Sequence, residues 1–237
     1  MLNINMITKG AINQNSILSM NVANPESVKN QNNIQSINFL KNKPSTPILQ
    51  NIDTKQVVPK LYHSIKKGQK IPILSSNIIE ACFGWNTMDN RCDVDVSAFL
   101  LGKNDKVLGD DWFVFYGQTT SPDKSVTWEQ ATTDRQKIKI DIRKIHPNVQ
   151  KIVFVLTINE ALTQKLHFGM MKDAYIRIIE KENEIASFMM TEYYNNVISM
   201  MIGELYLYQG KWKFNAIGDG IAKDLEGLCQ WYGVEVI

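Results

Sequence analysis

Several things are scarce or missing in this chain, and each absence removes a class of function. No Lys/Arg-rich stretch interleaved with aromatics occurs, and 26 basic residues stand against 24 acidic ones for a net charge of +2. Linear electrostatics therefore give no reason to expect nucleic acid. No segment is long and apolar enough to span a bilayer. The Met1 end has no basic patch followed by an apolar run of the kind a secretory signal shows. The three cysteines, Cys82, Cys92 and Cys229, are an odd number, which disfavours a disulfide framework and suits a reducing compartment. None has a neighbouring histidine or a second close cysteine pair, so a zinc site is not expected. No nucleophile elbow, P-loop or dinucleotide fingerprint is present, and His63, His146 and His167 are scattered. The reading is a cytoplasmic protein that is not an enzyme, with no small-molecule substrate and no direct membrane association.

What is present is a globular composition, 44% hydrophobic and 21% charged over 237 residues, ample for a sizeable core. Residues 1–55 differ from the rest. They are rich in Asn, Gln and Ser, their apolar residues come in scraps such as INFL, and Pro44 and Pro47 punctuate the end. This composition predicts a flexible arm, with docking on a partner through INFL as the competing reading. Residues 56–237 read as one ordered domain.

The region from Gly84 to Tyr116 poses the chemical question. Alternation along a strand places Asp93, Asp95, Ser97 and Phe99 on one face, and Val94, Val96, Ala98 and Leu100 on the core face. GKND supplies a turn, and Val107 to Tyr116 is expected to return beside the first run, bringing Asp110 and Asp111. Carboxylates gathered this way repel unless a cation or solvent separates them.

Further strands are predicted near Pro72 (an edge, because proline lacks a ladder donor), at Ile78–Gly84, Val126–Trp128 and Lys137–Ile142. Val149–Ile158 is nearly continuous in apolar β-formers and reads as a central strand. Ala174–Glu180 and Ile185–Met190 follow, and Val197–Tyr208 with Lys211–Ile217 flank the hairpin signal Gln209-Gly210. Asp219 is the expected cap of a C-terminal helix that ends at Gly233. About ten short strands with short helices predict a mainly β fold, a two-sheet sandwich.

The order and spacing of several segments resemble the TerD (tellurium-resistance D) family of bacterial stress proteins. They are KKGQKIPI at Lys66–Ile73, FGW at Phe83–Trp85, DVDVSAFLLG at Asp93–Gly102, WFVFY at Trp112–Tyr116 and SPDKSV at Ser121–Val126. VQKIVFVLTI at Val149–Ile158, HFGMMKDAYIRI at His167–Ile178 and GELYLYQGKWKFNAIGDG at Gly203–Gly220 complete the series. The resemblance implies a β-sandwich that binds calcium through acidic loops, acts without a known reaction, and serves resistance to tellurite and other stresses. It also implies contact with other stress-response proteins and, through them, indirect membrane association; slime-mould relatives are described as cyclic-nucleotide binding.

The chain departs from that pattern at the ion-binding loop. The family carries GDNxTGxGDGDDE after its SPxGSV segment, where this chain reads WEQATTDRQKIKID, with Asp134 the nearest carboxylate. The family's Asn-Asn is Gly117-Gln118 here, and its Tyr-Asp-Ala is Asn159-Glu160-Ala161. Calcium takes roughly six to eight oxygens. The candidate ligands are Asp93, Asp95, Asp110, Asp111 and Asp123, and the expectation is one weakened calcium site, not two. Against it stand a solvated strand edge for Asp93 and Asp95, a polar bulge for Asp110 and Asp111, and an ordinary turn role for Asp123. An interaction or scaffold module with a degenerate ion site is the alternative reading.

Overall fold

An eight-residue strand that is apolar on both faces needs a cover on each side, and Lys151–Ile158 has both. In the computed structural model, which describes residues 55–74 and 78–235, this strand is β7. Ile152, Phe154 and Leu156 face the main core, while Val153 and Val155 face a second, smaller cluster. The strands before it are β1 (Lys70–Pro72), β2 (Ile78–Thr87), β3 (Val94–Leu101), β4 (Phe113–Val114), β5 (Val126–Gln130) and β6 (Gln136–Asp141). After it come helix α1 (Ala161–Gln164), β8 (Met171–Glu180), β9 (Asn183–Met189), β10 (Ser199–Tyr208), β11 (Lys211–Ile221) and helix α2 (Leu225–Tyr232).

Two antiparallel sheets result, ordered β1-β11-β10-β7-β3-β4 and β5-β6-β2-β8-β9. Their inner faces share one core, in which Phe83 of β2 meets Phe154 of β7 edge-on at 5.6 Å. The second cluster lies on the outer face of the six-stranded sheet. There Leu228, Cys229 and Tyr232 of α2 pack on Phe99, Phe113, Phe115, Val153 and Val155. Phe99 thus lies on the face alternation assigns it, and α2 shields it from water.

From Pro72 onward the expected strands form, save the Val107–Tyr116 return, with β7 inside its sheet and β1 at an edge; the short strand expected before the Lys67-Gly68 turn is only an isolated bridge at Ser64. Gln209 and Gly210 take left-handed φ values of 49° and 74°, as a tight hairpin between right-twisted strands requires. Two other expectations are corrected. The return of Val107–Tyr116 is mostly irregular: β4 pairs with β3 only at Phe113 and Val114, and Asp110–Trp112 form a 3₁₀ turn. The cap of α2 is Asp224, whose Oδ1 accepts the Gly227 N–H at 2.9 Å. Asp219 instead stays in β11 opposite Met201, because the β10 ladder continues to Ile221. The predicted arm, its INFL segment included, lies outside the described residues.

The segment 56–65 runs along the five-stranded sheet. Gln56 exchanges hydrogen bonds with the Asn86 carboxamide at 2.8 and 3.1 Å. Farther on, Ile65 donates to the Ser187 carbonyl and Ser187 to that of His63, so the segment adds a parallel bridge at the β9 edge. Between these anchors, on the outward face of the sheet, Cys82, Asp134, Tyr175 and Ser187 are buried. The Arg177 guanidinium meets Asp134 at 2.7 Å and Glu184 at 3.8 Å, and Glu184 accepts the Tyr62 and His63 N–H groups, both at 2.8 Å.

Candidate functional site

Each carboxylate singled out from the sequence has a definite place. Asp93, exposed, precedes β3, and its carbonyl accepts the Asn159 N–H at 2.8 Å. Asp95, half-buried on the outward face of β3, accepts the Gln136 side-chain N–H at 2.9 Å, while the Gln136 oxygen accepts the Val96 N–H at 2.8 Å. That stretch of β3 is an edge which β4 does not reach. A side chain crossing from the other sheet satisfies it. Tyr116 stands close by: burial first, then the Asp95 and Asp93 charges, hold its phenol well above the ordinary tyrosine range.

Asp110 and Asp111 occupy the 3₁₀ turn. Asp110 accepts the Glu235 N–H at 2.8 Å. Burial pushes its carboxyl up to about 6, the Glu235 N–H opposes that shift, and the Glu235 and Asp111 charges add to it. The Asp111 carbonyl accepts the Gln118 side chain at 2.8 Å, so Gln118 ties this turn down. Asp123 is enclosed in its own turn. It accepts the Ser121 and Ser125 hydroxyls at 2.7 and 2.8 Å, the Ser125 N–H at 2.9 Å and the His146 N–H at 2.8 Å. Burial works against ionisation of Asp123, yet these donors outweigh it and leave the carboxyl below its ordinary value. Asp134 is bound to Tyr175 Oη at 2.8 Å as well as to Arg177.

The structure therefore joins Asp93 and Asp95 around Tyr116, holds Asp110 against Glu235, and commits Asp123 and Asp134 to donors of the chain itself. Among the described residues, no three His, Cys, Asp or Glu side chains stand together in a set able to hold a metal ion. As they stand, these residues do not fit a ready-made calcium site, which takes most of its roughly six to eight oxygens from the protein at one point.

A pocket of about 270 Å³ opens beside Asp95, between the end of β7 and the start of α2. Thr157, Asn159, Glu160, Asp224 and Glu226 line it together with Asp95. Its polar lining is rich in oxygen donors, suited to cations and hydroxyl-bearing ligands. Glu160 sits at left-handed φ 51° ahead of α1. The sequence reading missed Asp224 and Glu226, which no local pattern links to Asp95. Only the packing of α2 on Phe99 and Phe113 brings them there. None of the three histidines lines the pocket; His146 packs against Trp112 at 5.5 Å.

Comparison with known proteins bears on the whole domain. The TerD domain model matches residues 61–232. The tellurium resistance protein TerD of Serratia marcescens is 38% identical over 162 residues, which span 64% of this chain and 84% of that protein. General stress protein 16U of Bacillus subtilis (strain 168) is 30% identical over 189 residues, spanning 73% of this chain and 98% of that protein. A crystal structure of a protein of unknown function superposes with a TM-score of 0.50 at 15% identity, over 68% of this chain and 95% of that one, a likeness of fold. Among the described residues no helix is long and apolar enough to cross a membrane.

Proposed function

This chain belongs to the TerD domain family, and from that premise we propose that it is a non-enzymatic stress-response module of the cytoplasm in which protein side chains have taken over the work of the family's calcium. Relatives named for tellurium resistance and for general stress support the stress role. Three buried free thiols suit a reducing compartment.

One observation carries the reading. Acids at and near the expected site are already hydrogen-bonded or paired within the chain: the candidate ligands Asp95, by Gln136, and Asp123, by two serines and His146, and the neighbouring Asp134, by Arg177. A carboxylate that holds two or more donors, as Asp123 and Asp134 do, keeps its charge at little cost without a cation. The module then acts through its surfaces, as a scaffold for other stress-response proteins.

The pocket beside Asp95 favours a second reading, in which Asp95, Glu160, Asp224 and Glu226 close on one weakly held calcium ion. Thermal unfolding followed with chelator and with calcium separates the two. A site with a dissociation constant near 0.1 mM would add about 2.7 kcal/mol at 10 mM calcium. The expected result is an unchanged midpoint. A rise that disappears in Glu226→Gln, or in the double variant Asp93→Asn/Asp95→Asn, overturns the first reading in favour of the second.

A further inference from the structure

No basic stripe interleaved with aromatics runs along the sequence, but the fold assembles one across strands. On the outer face of the six-stranded sheet, beyond the part that α2 covers, the registers align Lys151 of β7, Tyr206 of β10, Lys213 of β11 and Pro72 of β1 in one row. In the neighbouring row Tyr208 lies opposite Lys211. Leu205, which alternates with the tyrosines, is buried in the core and Leu207 packs against it, so both rings face outward. Lys213 Nζ lies 4.4 Å from the centre of the Tyr208 ring, and Lys70 Nζ lies 5.9 Å from that of Tyr206.

The charge on this face is available. Lys67 is held by Asp219 at 2.7 Å and Lys151 by Asp105 at 2.8 Å. Among the described residues no carboxylate pairs with Lys70, Lys211 or Lys213 in this way. Glu204, in the adjoining row, accepts the Asn215 side chain at 3.0 Å and stands 3.9 Å from Lys151. At the side toward α2 the face runs into a groove of about 410 Å³ with Trp231, half exposed, on its wall.

We propose that this face is a binding platform for single-stranded nucleic acid. Two outward rings on one strand stand two residues, about 7 Å, apart. That spacing lets successive bases of an extended strand each meet a ring, while the flanking ammonium groups meet the phosphates. Sheet faces carrying aromatics among cations bind single strands in this way without reading sequence. The charge complementarity is to a polyanion, and the flat faces of the rings favour stacked bases over lipid headgroups.

The test is fluorescence anisotropy of the full chain with a labelled 15-nucleotide oligo(dT) and oligo(rU). Three phosphate contacts predict a salt slope near −2, so affinity is expected to fall about 20-fold between 50 and 200 mM salt. Tyr206→Ala and Tyr208→Ala are each expected to weaken binding about tenfold, and Lys213→Glu to weaken it and flatten the slope. Lys181→Glu, in the β8–β9 turn of the other sheet, should leave binding unchanged. Circular dichroism and thermal melting of each variant separate lost binding from lost fold. Absence of binding at 50 mM salt overturns the proposal, as does binding that folded tyrosine variants retain in full. Capture by phosphatidylserine vesicles without oligonucleotide binding also overturns it and assigns the face to a membrane surface.

Discussion

The Arg177 guanidinium and the Asp134 carboxylate meet at 2.7 Å with both side chains largely out of water, 13% and 3% exposed. Asp134 lies between β5 and β6, and an arginine from β8 supplies its counter-charge. Tyr175 adds a hydroxyl, and the 56–65 segment is fastened on either side. Removing one partner of a buried pair leaves the other uncompensated, which costs far more than the net worth of the pair. Arg177→Met is therefore expected to lower stability by about 3–5 kcal/mol in urea unfolding. Tyr175→Phe, which removes one donor and keeps the ring, should cost about 1–2 kcal/mol. The double variant Arg177→Met/Asp134→Asn should be clearly less destabilised than the two single costs summed.

Asp110 gives a pH signature. Its folded carboxyl is raised to about 6 by burial, above the unfolded value near 4. Below about pH 4 it is protonated in both states. As pH climbs from 4 to 6, the unfolded chain releases the proton first, so ionisation favours unfolding and stability falls. Asp110→Asn keeps an acceptor for the Glu235 N–H and removes the charge. It is expected to be more stable than the parent at pH 7.5 and indistinguishable near pH 3, as read from urea midpoints at the two pH values.

Asp123 runs the other way. Its folded carboxyl is held below the ordinary range by four donors that outweigh burial. It therefore contributes stability above the unfolded value near 4 and loses it as pH falls through the folded value. Asp123→Ala is expected to cost about 2 kcal/mol at pH 7, with the gap to the parent narrowing below pH 4 in the same denaturant titration.

Two glycines separate a steric from a backbone requirement. A Cβ on Gly84 would lie 2.3 Å from the ring and hydroxyl of Tyr175, so Gly84→Ala must push aside the ring that holds Asp134. The expected cost is about 2–3 kcal/mol, with Tyr175→Phe adding little more once the hydroxyl has been displaced. Gly68 has nothing within 4 Å but sits at φ +79°. Gly68→Ala should lose only about 1 kcal/mol, from the left-handed backbone alone. Thermal unfolding of the two variants checks the order.

Much of the fold was legible because strand chemistry is local. Alternation placed Val94, Val96 and Ala98 inward and Phe99 outward, and Gln209-Gly210 announced its hairpin. The continuous apolar run of β7 announced a strand covered on both faces. The α2 cap was misread because Asp219 and Asp224 are equivalent as capping residues. Only the length of the β10–β11 ladder decides between them.

The candidate acids were legible as residues but not as a constellation. Asp93 and Asp95 share a face by the geometry of one strand, whereas Gln136 reaches Asp95, and Asp224 and Glu226 line the pocket beside it, from other elements, by routes no spacing rule encodes. The same holds for Arg177 and Asp134, 43 positions apart, and for the lysines and tyrosines of the outer face, which come from separate strands.

The amino-acid sequence by itself determined the strand-rich sandwich, the family and the two sides of alternating strands such as β3 and β6, since hydrophobic alternation and turn residues act over a few positions. Tertiary structure alone decided which donors meet which acids and which charges share a face. Coulomb forces and hydrogen bonds act over a few ångströms of space, and ladder register, not distance along the chain, brings their partners that close.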